Sequence, residues 1–119
     1  MNAPSKQPHS SVRVQARPFA FGLEPGRAAL VVGTHTHVPT ADARILKKGT
    51  GFITDVGMCG PYDSFIGRDT EAVVRHMTTA LPVHYEMGQN DARTCGVFVE
   101  ISEDTGLANR IERIELNDR

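Results

Sequence analysis

The chain has 119 residues, with 13 lysines and arginines against 14 aspartates and glutamates and a formal net charge of −1. That length holds one domain at most, and the near-neutral balance gives no electrostatic footing for a nucleic acid or an anionic membrane. No stretch approaches the ~20 apolar residues of a membrane span or the apolar core of a secretory signal, so a cytoplasmic protein is expected.

Residues 1–19 read as a disordered arm. Residues 1–11 are polar, hold Pro4 and Pro8 and show no apolar periodicity, so they have little to bury. His9 lies among them without any supporting motif. The folded domain is expected over residues 20–119. Its first strand is Ala28 to Val32, continuously apolar as suits a strand buried on both faces, with Gly33 ending it. Arg44 to Leu46 reads as a short strand, Lys47 to Gly51 as a turn and Phe52 to Thr54 as the next strand. Asp55 to Ser64, punctuated by Gly57, Gly60 and Pro61, reads as loop.

A helix is predicted from Asp69 to about Thr79. Asp69 or Thr70 caps it, Glu71 sits in its first turn, and Ala72, Val73, His76, Met77 and Ala80 form an apolar stripe that Pro82 stops. Val83 to Met87 and Cys95 to Ile101 read as strands. Residues 107–116 return beside the latter as a hairpin after the turn at 102–106. Ile111 and Ile114 fall on opposite parities of that return strand, which a bulge would reconcile. Cys59 and Cys95 form no CxxC pair, so they read as buried free thiols rather than a disulfide or a metal cluster.

The chemistry concentrates in Gly33-Thr34-His35-Thr36-His37. In extended backbone, side chains at i and i+2 point the same way, so His35 and His37 are positioned to face one cavity from the strand exit. Neutral imidazole suits Zn, Fe or Mn, and alternate residues can serve two metals. Thr34 and Thr36 are placed to make local hydrogen bonds or to hold waters behind the ligands. Spacing alone leaves two readings open, a metal pair or two loop histidines, because a hydrolytic site takes three or more protein ligands per metal. Asp55, after an apolar strand and before glycine, is either an active-site carboxylate or a turn carboxylate.

Residues 31–42, Val-Val-Gly-Thr-His-Thr-His-Val-Pro-Thr-Ala-Asp, resemble the signature of the YmdB-like metallophosphoesterases of the calcineurin-like superfamily. So do residues 53–64, Ile-Thr-Asp-Val-Gly-Met-Cys-Gly-Pro-Tyr-Asp-Ser, followed by Ile66, Gly67 and Asp69. The likeness begins near Phe21 and runs to about Leu116. It implies an α/β fold, part of a layered α/β/β/α sandwich of which this chain supplies mainly the second half. It also implies two divalent metals, commonly Fe or Mn, and hydrolysis of phosphodiesters, including cyclic nucleotides, by metal-activated water. His35 and His37 would each give one ligand to a metal, and neither Asp55 nor Asp63 is assigned a catalytic role.

The family's opening half, with its Gly-Asp-Val-Val-Gly aspartate, Glu-Asn pair, further asparagine and upstream histidine, has no match before Phe21. The expectation is therefore a truncated phosphodiesterase, inactive as an isolated chain. Two alternatives stand beside it. One is half of a split enzyme completed by a chain carrying the N-terminal half, or by homo-oligomerisation. The other is a non-enzymatic scaffold or interaction module.

Overall fold

The computed structural model describes residues 14–17 and 26–117. Within them, two sheets and one helix form an α/β structure. The first sheet holds β1 (Val14–Arg17), β2 (Leu30–Gly33), β3 (Arg44–Ile45) and β4 (Gly51–Ile53), in the order β1-β2-β4-β3. β2 runs parallel to both β1 and β4, and β3 closes one edge antiparallel to β4. A strand between two parallel neighbours needs apolar side chains on both faces. Leu30 and Val31 meet that need, and Ile53 on β4 is fully enclosed. Thr50 is buried among them because its hydroxyl donates to the Ala28 carbonyl at 2.8 Å and accepts from the Gly26 N–H at 2.7 Å.

β1 corrects the expected boundary of the arm. Residues 14–17 pair in parallel register with Leu30–Gly33, so the strand lies inside the stretch that composition assigns to disorder. The polar, proline-bearing residues ahead of it mask a short alternation, Val12, Val14 and Ala16 against Arg13, Gln15 and Arg17, that suits a strand. The rest of the expected arm, with His9, and residues 18–25, with Phe21, lie outside the described residues.

The second sheet is antiparallel, with β5 (Cys59–Asp63), β6 (Asn90–Ile101) and β7 (Ala108–Asn117) in that order. β5 replaces part of the loop expected at 55–64. Pro61 is compatible with a strand here because β5 is an edge, where a missing N–H need not break a ladder. The hairpin predicted between residues 95 and 116 forms, and β6 begins earlier than expected, at Asn90. Its bulge lies at Asn109, since Ile101 pairs with Ala108 while Glu100 pairs with Arg110. That is before Ile111, so Ile111 and Ile114 stay out of phase, opposite Val99 and Gly96, and Ile114 stays on the exposed side. The two sheets meet where β7 starts: the Ala108 N–H donates to the Gly49 carbonyl at 2.8 Å and the Ala108 side chain is buried.

The helix, α1 (Thr70–Thr79), is capped by Asp69, whose carboxylate accepts from the Ala72 N–H at 3.1 Å. Ala80 ends it in the left-handed conformation, just before Pro82, and His76 donates Nδ1–H to the Leu81 carbonyl at 2.9 Å. The expected apolar stripe does not become a core face. None of the α1 residues is buried, and Met77 is 75% exposed. Val83 to Met87 is likewise not a strand; only Met87 makes a bridge, to Arg68. The C-terminal end of the segment is held instead, with the Glu86 carbonyl accepting from Asp69 N–H and the Gly88 N–H donating to the Gly67 carbonyl. Both cysteines are free thiols, but only Cys95 is buried; Cys59 is exposed on the edge strand.

Candidate metal centre

Leaving β2 at Gly33, the chain enters an exposed loop from Thr34 to Val38 that carries both histidines. Its anchor is Asp55, buried at the exit of β4. One carboxylate oxygen, Oδ2, accepts from the His35 N–H at 2.9 Å, the Thr36 N–H at 2.7 Å and the Thr36 hydroxyl at 2.8 Å. The other, Oδ1, accepts from the Gly57 N–H at 2.8 Å. Burial pushes the Asp55 pKa up, but these donors outweigh it and hold the carboxyl below its ordinary value. Asp55 is therefore a turn carboxylate, and its lone pairs go to loop backbone.

The loop wraps around this carboxylate and does not run on extended. His37 has φ 66°, in the left-handed region, so the alternation argument for aiming two side chains one way loses its premise. The backbone there is braced by the Tyr62 hydroxyl, which donates toward the His37 carbonyl at 3.4 Å and lies 3.0 Å from the Cys95 sulfur. Gly57 sits at φ 84°, and an added Cβ would lie 2.9 Å from both Pro39 Cδ and the Tyr62 oxygen. Only glycine fits that crossing of loops.

His37 Nδ1 lies 2.7 Å from the Ile66 carbonyl oxygen. A carbonyl can only accept, so Nδ1 carries the proton and the neutral ring keeps its lone pair on Nε2. This is the arrangement metal-ligating histidines use, in which the second ring nitrogen fixes tautomer and orientation. The Ile66 carbonyl is presented by a tight two-residue hairpin. Phe65 and Arg68 exchange N–H···O bonds at 2.9 and 3.0 Å, with Ile66 at φ 48° and Gly67 at φ 98° between them.

A second clasp holds the far end of the loop. Asp42 accepts from the Thr40 hydroxyl at 2.6 Å, from the Thr54 hydroxyl, from the Thr54 N–H at 3.1 Å and from Arg44 at 3.1 Å. Burial opposes its ionisation, yet these bonds keep its pKa far below the usual carboxylate range. Asp42, Tyr62 and Ile66 all lie in or beside the segments that carry the family resemblance, but the sequence gives none of them a role. The Ile66-Gly67 pair adds a turn signal, since its glycine suits a primed hairpin turn.

A match to a family model described as YmdB-like protein covers residues 13–114. The chain belongs to the YmdB-like family. Among relatives of this YmdB-like chain, a 2′,3′-cyclic-nucleotide 2′-phosphodiesterase of Bacillus subtilis (strain 168) is 52% identical over 93 residues, 78% of this chain and 35% of that protein. Two solved structures superpose with a TM-score of 0.74 each. A hypothetical protein from Thermus thermophilus is 38% identical and covers 80% of this chain and 37% of its own. A novel phosphatase from Mycoplasma pneumoniae is 41% identical, with 77% and 33% covered. The chain thus spans about a third of the length of the relatives it matches. No helix among the described residues is long and apolar enough to cross a membrane.

The donor chemistry of the YmdB-like loop fits a borderline divalent metal such as Fe or Zn, through imidazole nitrogen. Among the described residues no group of three or more His, Cys, Asp or Glu side chains converges as a metal set. Asp63 ends β5, exposed and paired in register with Asn90, away from the bonds that shape the histidine loop.

Proposed function

We propose that this chain supplies the His35 and His37 wall of a metal-dependent phosphodiesterase acting on cyclic nucleotides. The observation that carries the reading is the Nδ1–H of His37 committed to the Ile66 carbonyl, which leaves Nε2 as the metal-facing donor. Two divalent metals, Fe or Mn by family resemblance, would lower the pKa of a bound water and offset charge on the phosphate oxygens. The chain's own contribution is positional. Asp55 fixes the backbone of His35 and Thr36, Tyr62 braces His37, and Ile66 sets its tautomer.

Two imidazoles are too few for a hydrolytic pair of metals, so the same reading makes the 119-residue chain inactive by itself. The remaining ligands come from a complementing N-terminal portion, in the same polypeptide or in a partner. The exposed apolar side chains Val74, Met77 and Leu81 on and beyond α1 offer surface for such a portion. Hydrolysis of bis-p-nitrophenyl phosphate with Mn or Fe tests this. The expected result is no turnover by the chain alone and turnover once the N-terminal portion of a YmdB-like relative is added, lost again in His35→Ala and His37→Ala. Robust metal-dependent turnover by the chain alone would overturn the dependence on a complement.

A further inference from the structure

An open groove of about 530 Å³ begins at His37 and is walled by Met58, Ile66, Arg68, Tyr85 and Met87. Its surface is mostly apolar and holds one cation suited to stacking: the Arg68 guanidinium lies over the Tyr85 ring, 4.6 Å from its centroid. Arg68 is exposed and, among the described residues, makes no ion pair with a carboxylate. A planar cation stacked on one side by a ring has a second face for another π system.

The wall is also strained where it meets His37. Ile66 is β-branched and 50% exposed, yet sits at φ 48°. Such a residue is costly in the left-handed region and persists only where surrounding structure over-determines it. At this turn one residue serves both sides, since its carbonyl fixes the His37 ring and its side chain lines the groove. Met58 and Met87 add polarizable thioethers, which conform to flat apolar ligands and make favourable contacts with aromatic rings. Met87 is 70% exposed although it lines the wall.

From this placement we infer that the groove is the nucleobase subsite of the substrate, with the base laid against Met58 and Met87 and stacked on the outer face of Arg68. This inference rests on the cyclic-nucleotide reading of the site. A phosphodiester held beside His37 has one large flat apolar part, its base, and this groove is the apolar surface that adjoins the histidine. Arg68 is thereby a specificity-determining residue, and the simple diester bis-p-nitrophenyl phosphate makes no use of the ribose-linked geometry it reads.

The test is a metal-free titration of the full chain, labelled with ¹³C at the methionine methyls, using adenosine 3′-monophosphate, ribose 5-phosphate and inorganic phosphate as probes. Adenosine 3′-monophosphate is expected to shift the Met58 and Met87 methyls saturably, with the other two probes leaving them in place. Arg68→Ala is expected to weaken that binding roughly threefold, the size of an exposed cation–π contact. Met87→Ala, at an exposed position that folding does not depend on, is expected to weaken it as well. Equal shifts with ribose 5-phosphate, no methyl shift at all, or unchanged binding in both variants would overturn the subsite. The readout uses no metal and no turnover. With a separate Mn²⁺ titration alongside, no metal binding at His37 with nucleotide binding intact would sink the phosphodiesterase reading alone, and metal binding without nucleotide binding would sink only the subsite.

Discussion

Replacing Asp55 with asparagine should unfasten the histidine loop, and the structure sets the size of the effect. The carboxylate accepts four hydrogen bonds, three at Oδ2 and one at Oδ1. Asparagine has one oxygen to offer. With that oxygen in place of Oδ2, its amide nitrogen faces the buried Gly57 N–H, donor against donor. Leaving a buried donor unmet costs about 1–3 kcal/mol, and the three bonds that survive lose the strengthening that a charged acceptor provides. Asp55→Asn is therefore expected to destabilise the chain by about 2–4 kcal/mol. Urea unfolding of wild type and variant, compared at equal m-values, measures it. Amide exchange gives a local readout: the His35 and Thr36 N–H groups should be protected in the wild type and exchange much faster in the variant. A change below about 0.5 kcal/mol, the usual range for surface substitutions, with unaltered exchange at those two amides would refute the anchoring role.

The remaining predictions concern acid, glycine and the helix cap. Asp55 and Asp42 both have folded-state pKa values held below the ordinary 3.8. The stability they supply is thus complete above about pH 4 and drains as pH falls through the lower folded-state values; Tm measured from pH 6 downward should fall steeply below pH 4 in the wild type and less steeply in Asp42→Asn or Asp55→Asn. A wild-type slope in both variants would contradict the linkage. Gly57→Ala forces a side chain into the left-handed region and against Pro39 and Tyr62, and should cost about 2–4 kcal/mol in the same urea assay. Asp69→Ala removes the side-chain N-cap of α1, and should cost about 1 kcal/mol, with the loss seen as reduced helical circular dichroism.

Much of the fold was legible in the sequence, for reasons that particular residues make clear. The continuous apolar run into Gly33 and the Asp69 cap are signals with one physical meaning each; the helix stands where its cap puts it, while the strand starts at Leu30, two residues after the expected Ala28, and includes Gly33. β1 was missed because the polar, proline-bearing residues ahead of it mask the short alternation of Val12, Val14 and Ala16 with polar neighbours, and β5 because its own residues argue against a strand. Val14–Arg17 pairs with the parallel neighbour it lies against, and Pro61 and Gly60 speak against a strand until β6 supplies the ladder. α1 shows the converse. Its stripe is real in spacing, but nothing within the described residues covers it.

The candidate site divides along the same line. The His-Thr-His spacing and the following Thr-Asp-Val-Gly segment identify the family because those motifs are local. Their mechanical relationship is not local: that Asp55 holds the loop twenty residues away, and that Ile66 selects the tautomer of His37, depends on contacts across the fold. The turn reading of Asp55 was one of two left open by the residues, and its full set of backbone donors decides it. The extended geometry assumed for residues 35–37 was wrong because a buried carboxylate that gathers successive N–H groups bends the chain around itself.

The central claim is that the loop presents His37 Nε2 to a metal. It is tested most directly by ¹⁵N spectroscopy of the histidine rings during a titration with Mn²⁺. His37 is predicted to carry its proton on Nδ1 before metal is added, and the His35 and His37 rings to broaden at the lowest Mn²⁺ while His76 and His84 do not. A His37 ring protonated on Nε2, or broadening spread evenly over all five histidines, would contradict it.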